Sequence, residues 1–234
     1  MISNELQIEP WRARLRAQGR VQIPGFLQED AATRLHECLR DEVPWETAQR
    51  TDAVLAEGQP RSAAPGSRED AALLEAATAR ARDGFEFYFD RYRMIEARRD
   101  GLDPHLVLHA VVDFLNSPPF LEFARQLTGD PAIRMVSAVA VRYRAGHFLR
   151  THNDKAGDED RACAYVMNLS RDWLPDWGGL LQFLDPAEAR VVDTFTPLWN
   201  SLSLFRVPQP HVVSLVAPWA QSPRYSITGW FRRG

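Results

Sequence analysis

IRMVSAVAVRY, residues 133–143, is where the chain changes character. It reads with a period of two, the spacing that puts every second side chain on one face of a strand. Toward the C-terminus, similar β-rich runs recur at 163–169, 180–184, 190–193, 201–205, 211–216 and 225–231. Gly146, the 175–179 segment, Pro186, Pro197, and the proline-rich 208–210 and 218–223 segments punctuate them. Many short strands between such breaks predict an antiparallel sandwich or jelly roll. Toward the N-terminus the period turns helical. Residues 27–40 place Ala31, Leu35, Cys38 and Leu39 on one face, with Asp30 in the N-cap region. Residues 69–96 read as one long helical pattern that becomes aromatic at Phe85, Phe87, Tyr88 and Tyr92. Two further short helices are expected over 105–116 and 119–128, and one early strand over 21–26. The GQPRSAAPG stretch, 58–66, reads as a loop. Helices gathered before a β core predict an α+β fold, a jelly roll with helices packed on one sheet.

The 234 residues suit a single domain: 1–132 as helical support and substrate side, 133–234 as the β core. A composition 45% hydrophobic and 25% charged excludes wholesale disorder. The net charge of −3 argues against bulk binding to nucleic acid or anionic membrane. No apolar run approaches the roughly 20 residues that span a bilayer, and 1–18 has no apolar leader core. Two cysteines, Cys38 and Cys163, make no disulfide framework, so a reducing cytoplasmic location is expected. Lys155 is the only lysine among many arginines, which we read as the coding bias of a GC-rich, bacterial genome.

Three small motifs carry the chemistry. His152-Asn153-Asp154 would, in a strand, turn an imidazole and a carboxylate to one face. Taken alone it is what a solvated turn also shows. His211 opens the Val-rich run HVVSLV and offers a third ligand from another strand. Two histidines and one carboxylate make the facial triad of non-haem Fe(II) oxygenases. Arg224-Tyr225-Ser226 puts a guanidinium and a hydroxyl on one face near the last strand, a pair suited to a carboxylate.

In that order, on a β-rich half, the motifs resemble the 2-oxoglutarate/Fe(II)-dependent dioxygenases, and within them the prolyl 4-hydroxylase group. The segments concerned are RYRAGHFLRTHND (142–154), YVMNLSRDW (165–173), WGGLLQF (177–183) and HVVSLVAPWAQSPRYSITGWF (211–231). They look most like oxygen-sensing and ribosomal-protein prolyl hydroxylases. The resemblance implies a double-stranded β-helix, with His152, Asp154 and His211 as iron ligands. It implies Arg224, Ser226 and Tyr143 as cosubstrate residues, and Trp230 and Arg161 near the substrate. Asn168 stands where relatives often carry a tyrosine hydroxyl, so its amide would donate to the cosubstrate instead. The implied cofactors are Fe(II), 2-oxoglutarate and O2, with ascorbate compatible as a reductant. The implied reaction hydroxylates an aliphatic C–H, foremost of a prolyl residue, while 2-oxoglutarate becomes succinate and CO2. A ribosomal protein or translation factor would be the protein partner.

Other readings stay open at this point. The same site would suit a free amino acid or other small molecule, or a jelly-roll metal sensor without turnover. A nucleic-acid demethylase is disfavoured by net charge. A protein substrate needs an open cleft and a mobile loop, for which 50–69 is the candidate. His147 lies near the proposed site and is a candidate pocket residue. His105 and His109 share an i, i+4 helical spacing but lack a third ligand, and read as helix surface or packing. Cys163 reads as core, Phe85, Phe87, Tyr88 and Tyr92 as packing helix on sheet, and Gly178-Gly179 as a turn or bulge.

Overall fold

The computed structural model describes residues 1–50, 63–155, 160–185, 187 and 189–233. Much of the 50–69 loop expected at the substrate side therefore lies outside the described residues. Six α-helices are described: α1 (Ile8–Gln18), α2 (Glu29–Asp41), α3 (Arg68–Arg80), α4 (Met94–Asp100), α5 (Leu108–Leu115) and α6 (Pro118–Thr128). The strands are β1 (Arg20–Pro24), β2 (Glu46–Gln49), β3 (Phe87–Tyr92), β4 (Met135–Val136), β5 (Val139–Tyr143) and β6 (Phe148–His152). They continue as β7 (Arg161–Asn168), β8 (Leu181–Asp185), β9 (Arg190–Phe195), β10 (Ser201–Arg206), β11 (His211–Val213) and β12 (Arg224–Arg232).

All pairings are antiparallel and run β1-β10-β7-β12-β5-β3-β6-β11-β8-β9, with β2 added to β3 and β4 to β12. β3 pairs with both β5 and β6 and so turns one sheet into the other. The two free ends, β1 and β9, are stapled by side chains. Arg20 meets Asp193 at 2.7 Å, and Gln22 donates to the Thr196 carbonyl at 2.8 Å. The result is a nearly closed β-barrel of the double-stranded β-helix type with helices outside, the α+β fold expected.

Strand parity explains how this barrel is both stable and hollow. On β12, Tyr225, Ile227 and Phe231 point outward into the main core. Arg224, Ser226, Thr228 and Trp230 point inward. On β7, Cys163, Tyr165 and Met167 face out, while Ala164 and Val166 face in. The outward residues pack on Leu35 and Leu39 of α2, Val111 and Leu115 of α5, and Phe120 and Phe123 of α6. Each such fully buried side chain contributes roughly 1.5–3 kcal/mol. α6 opens with Pro118 in its first turn and ends on Gly129 at φ 70°, a start and a stop the sequence spells out.

Two expectations fail at the N-terminal side. The 69–96 pattern is not one helix: α3 stops at Arg80, and residues 87–92 form a strand. The alternating burial of Phe87, Tyr88, Phe89, Asp90, Arg91 and Tyr92 shows a period of two, which aromatic content favours in a sheet. His105 lies in a turn before α5, so it shares no helical face with His109. Tyr88 and Tyr92 are buried, as packing residues should be, but Phe85 is 43% exposed.

Candidate metal and carboxylate site

β6 and β11 are antiparallel neighbours, and their register sets His152 directly opposite His211. The two rings lie 4.1 Å apart, centroid to centroid. His152 Nδ1 meets the Arg150 carbonyl at 2.9 Å, and His211 Nδ1 meets the Gln209 carbonyl at 2.7 Å. A carbonyl only accepts, so each Nδ1 carries a proton, and each Nε2 is the ring atom left to face a metal. Asp154 does not share a strand face with His152, because β6 ends at His152. Instead its backbone turns through the left-handed region at φ 59°, bringing the carboxylate round to both rings. Asp154 Oδ1 lies 3.4 Å from His152 Nε2, and Oδ2 lies 3.6 Å from His211 Nε2. The three ligand atoms sit within 4.8 Å of one another. With both Nδ1 protons committed to carbonyls, two Nε2 atoms and a carboxylate converge, an arrangement that calls for a cation between them.

The electrostatics agree. Burial, with His152 alongside, pushes the His211 imidazole down to about 4, which keeps it neutral. Burial works to raise the Asp154 carboxyl, but His152, His211 and the Trp230 indole outweigh it and hold it below the usual carboxylate range.

A cavity of about 550 Å³ runs from these ligands into the barrel. At its inner end stands Arg224, 2% exposed. Its Nη1 donates to the Gly179 carbonyl at 2.9 Å, Nη2 reaches Asn168 Oδ1 at 3.5 Å, and Nε has no partner. Burial lowers its pKa, with the Tyr143 ring face 5.3 Å away. Among the described residues no carboxylate pairs with it. A buried guanidinium facing only neutral oxygens is costly unless an anion arrives. Gly178 and Gly179 make this corner possible. Both have positive φ, and a Cβ on Gly178 would collide with the Leu215 carbonyl.

The other expected residues divide. Ser226 and Tyr143 line the cavity beside Arg224, and Trp230 lines it too. Arg161 is stacked on Trp230, its guanidinium 3.6 Å from the ring centroid, and donates to the Asp154 carbonyl at 3.1 Å. Two expectations need correction. Asn168 does not offer its amide hydrogens to the cavity: its nitrogen faces the Ser201 and Ser203 hydroxyls at 3.2 Å and the Val166 carbonyl at 3.4 Å. His147 does not reach the cavity. It precedes β6, is fully buried, and packs edge-on against Tyr88 at 5.4 Å, on the side of α3.

Some cavity residues escaped the sequence reading. Phe89 and Arg91 project inward from β3, and Ile95, Glu96 and Arg99 reach in from α4. Phe85, Phe87 and Phe89 form a ladder at 5.8 and 5.5 Å spacing, with Phe85 5.9 Å from His152. The alternation within 85–91 was the signal, hidden by reading that segment as helix.

Comparisons with known proteins bear on the fold that carries this site. The family model of the 2OG-Fe(II) oxygenase superfamily matches residues 138–232. Over that stretch the barrel is similar to a 2OG-Fe(II) oxygenase domain. No curated protein matches the chain. Among solved structures, an oxidoreductase of the 2OG-Fe(II) oxygenase family from Burkholderia pseudomallei superposes with a TM-score of 0.64. It is 19% identical, over 100% of this chain and 94% of that one. A Pseudomonas putida prolyl-4-hydroxylase gives 0.58 at 21% identity, over 97% of this chain and 100% of that one. A Trichoplax adhaerens prolyl hydroxylase, in complex with a hypoxia inducible factor peptide fragment, gives 0.58 at 17% identity, over 95% and 87%. These likenesses establish the fold. Fe(II), 2-oxoglutarate and O2 are the partners the oxygenase family implies, and the donor set fits them: two imidazoles and a carboxylate for iron, an unpaired buried arginine for a dicarboxylate. Among the described residues no helix is long and apolar enough to cross a membrane.

Proposed function

We propose that the protein is a 2-oxoglutarate-dependent Fe(II) dioxygenase that hydroxylates an aliphatic C–H, foremost of a prolyl residue in a protein or peptide. The observation that carries the reading is Arg224, a buried guanidinium without a counter-charge, in the same cavity as a convergent His152–Asp154–His211 set. A metal sensor without turnover has no use for that charge.

His152, Asp154 and His211 hold the iron through Nε2, carboxylate and Nε2. Arg224 takes the distal carboxylate of 2-oxoglutarate, with Ser226 and Tyr143 beside it. Bound together, iron, 2-oxoglutarate and O2 supply the oxidising chemistry, and 2-oxoglutarate leaves as succinate and CO2. The apolar wall of Val141, Leu149, Val166 and Phe205 excludes water and fixes where a C–H is presented. Trp230, held flat by Arg161, forms the side of the mouth where substrate enters.

The prolyl assignment draws on the likeness to prolyl hydroxylases, one seen with a peptide. A ribosomal protein or translation factor is the first partner to try, in the cytoplasm, with ascorbate in the assay as reductant. One observation favours a free amino acid or other small molecule instead: α4 stands at the cavity and lends it Ile95, Glu96 and Arg99. Coupling of 2-oxoglutarate turnover to proline peptides against free amino acids separates the two.

The founding experiment is anaerobic titration of Fe(II) and 2-oxoglutarate into the protein, watching for a weak visible charge-transfer absorption. It should appear in the wild type and vanish in His152→Ala. Its absence from folded, metal-loaded wild type would overturn the reading.

A further inference from the structure

Resting on that reading, we propose that Asn168 is a positioning residue: it holds Arg224 with a neutral oxygen, so that the arginine's charge stays free for the distal carboxylate of 2-oxoglutarate. Asn168 is 1% exposed and stands behind Arg224, not in the cavity lining. Its neighbours in register are Ser226 on β12 and Ser201 on β10.

The orientation of its amide follows from its surroundings. Ser201 Oγ donates to the Leu198 carbonyl at 2.8 Å, so toward Asn168 it accepts. Ser203 Oγ accepts from Asn168 Nδ2 at 3.2 Å and also faces Gln22 Nε2 at 3.2 Å. Gln22 is in turn anchored on the Thr196 carbonyl. The amide nitrogen is thereby drawn to the serines, and Oδ1 is left pointing at Arg224 Nη2. A flipped amide would set NH2 against guanidinium, donor against donor. The relay from β1 through β10 and β7 to β12 is made of neutral groups throughout.

Neutrality is the point. Asparagine and aspartate have the same shape, and an aspartate at 168 would place a carboxylate against Arg224. The arginine would then be paired within the protein, and an incoming carboxylate would meet a neutral pair carrying one negative oxygen too many. A neutral oxygen aims the guanidinium without consuming its charge.

The test titrates 2-oxoglutarate, and 2-oxobutanoate as a 2-oxo acid without the distal carboxylate, into Co(II)-loaded protein under argon. Asn168→Asp should bind 2-oxoglutarate about tenfold or more weakly, with 2-oxobutanoate nearly unaffected, so that discrimination between the two collapses. In turnover, KM for 2-oxoglutarate should rise while kcat at saturation changes little. Unchanged 2-oxoglutarate affinity, or an equal loss for both acids, overturns the proposal. If Asn168→Asp fails to fold, Ser203→Ala loosens the amide without adding charge. It should weaken 2-oxoglutarate alone and be rescued by Ser203→Thr; no change would overturn the proposal. Wild-type protein that binds neither acid would instead bring down the functional reading on which this rests.

Discussion

Replacing Arg224 by methionine should move binding and stability in opposite directions. The side chain is 2% exposed, and its contacts are one carbonyl at 2.9 Å and one amide oxygen at 3.5 Å. In the wild type a bound dicarboxylate gains a charge-assisted contact worth about 1.5–3 kcal/mol. Methionine forfeits it, so the Kd for 2-oxoglutarate should rise about 10- to 150-fold. The proposed metal ligands lie on β6, on β11 and in the turn after β6, away from β12, so affinity for Co(II) alone should be unchanged. Without ligand, the arginine is a buried charge with no ionic partner, and an apolar side chain of similar length there is neutral or stabilising. The metal-free variant should therefore melt no lower than wild type. Calorimetric titration of 2-oxoglutarate into the Co(II) form gives the first quantity and thermal unfolding the second. Wild-type affinity in the variant would refute the carboxylate role, and a large fall in Tm would refute the claim that the charge is unpaired.

Three further outcomes follow from packing and charge. Ile227→Val on the outer face of β12 should cost about 1 kcal/mol by chemical denaturation and leave the Kd for 2-oxoglutarate unchanged, although Ser226 and Thr228 flank it on the cavity side. His147, fully buried with neither ring nitrogen hydrogen-bonded, has a pKa pushed down by burial to about 4 from 6.5. The unfolded chain then takes up the proton first, so this stability is present above pH 6.5 and lost as pH falls toward 4. At pH 5 the loss is about 2 kcal/mol, and His147→Phe should abolish that share in urea unfolding at pH 7.5 and 5. Asp90, fully buried, is shared by Arg142 at 2.7 Å and Arg144 at 2.8 Å. Asp90→Asn should destabilise by about 3 kcal/mol, read as a lower denaturation midpoint with unchanged m-value.

The β half was legible because its strands are amphipathic and broken by proline and glycine, so period and punctuation agree. The candidate triad was legible for a different reason: His-x-Asp alone also fits a turn, but followed by His211 and Arg224-x-Ser226 in that order it singles out a metal-binding set. The geometry behind it was not. His152 and Asp154 meet through a left-handed turn beyond the end of β6, which no spacing rule distinguishes from a continuing strand. Residues 87–92 were misread because tyrosines at 88 and 92 also fit a helical face; only pairing with β2, β5 and β6 decides for a strand. Asn168 and His147 were placed near the right residues but on the wrong side of them. Nearness in sequence says nothing about which donors a side chain has already spent.

Function and stability are separated here by one rotation of parity. Along β12 the residues that face the helices are Tyr225, Ile227 and Phe231, and those that face the cavity are Arg224, Ser226, Thr228 and Trp230. The inward set carries what folding alone disfavours: an unpaired guanidinium, with facing acceptors at the candidate metal site of His152, Asp154 and His211. Such groups persist only if the rest of the barrel over-determines their positions. The outward set does so by burying apolar side chains against α2, α5 and α6, and the Arg20–Asp193 staple holds the barrel's two edges together. This is why a cavity-facing change and a helix-facing change on adjacent residues should have opposite signs. A core substitution lowers stability and spares binding, whereas removal of the buried charge spares or raises stability and weakens binding. A barrel built only for its own stability would show no such opposition, since every inward polar group would already have its partner.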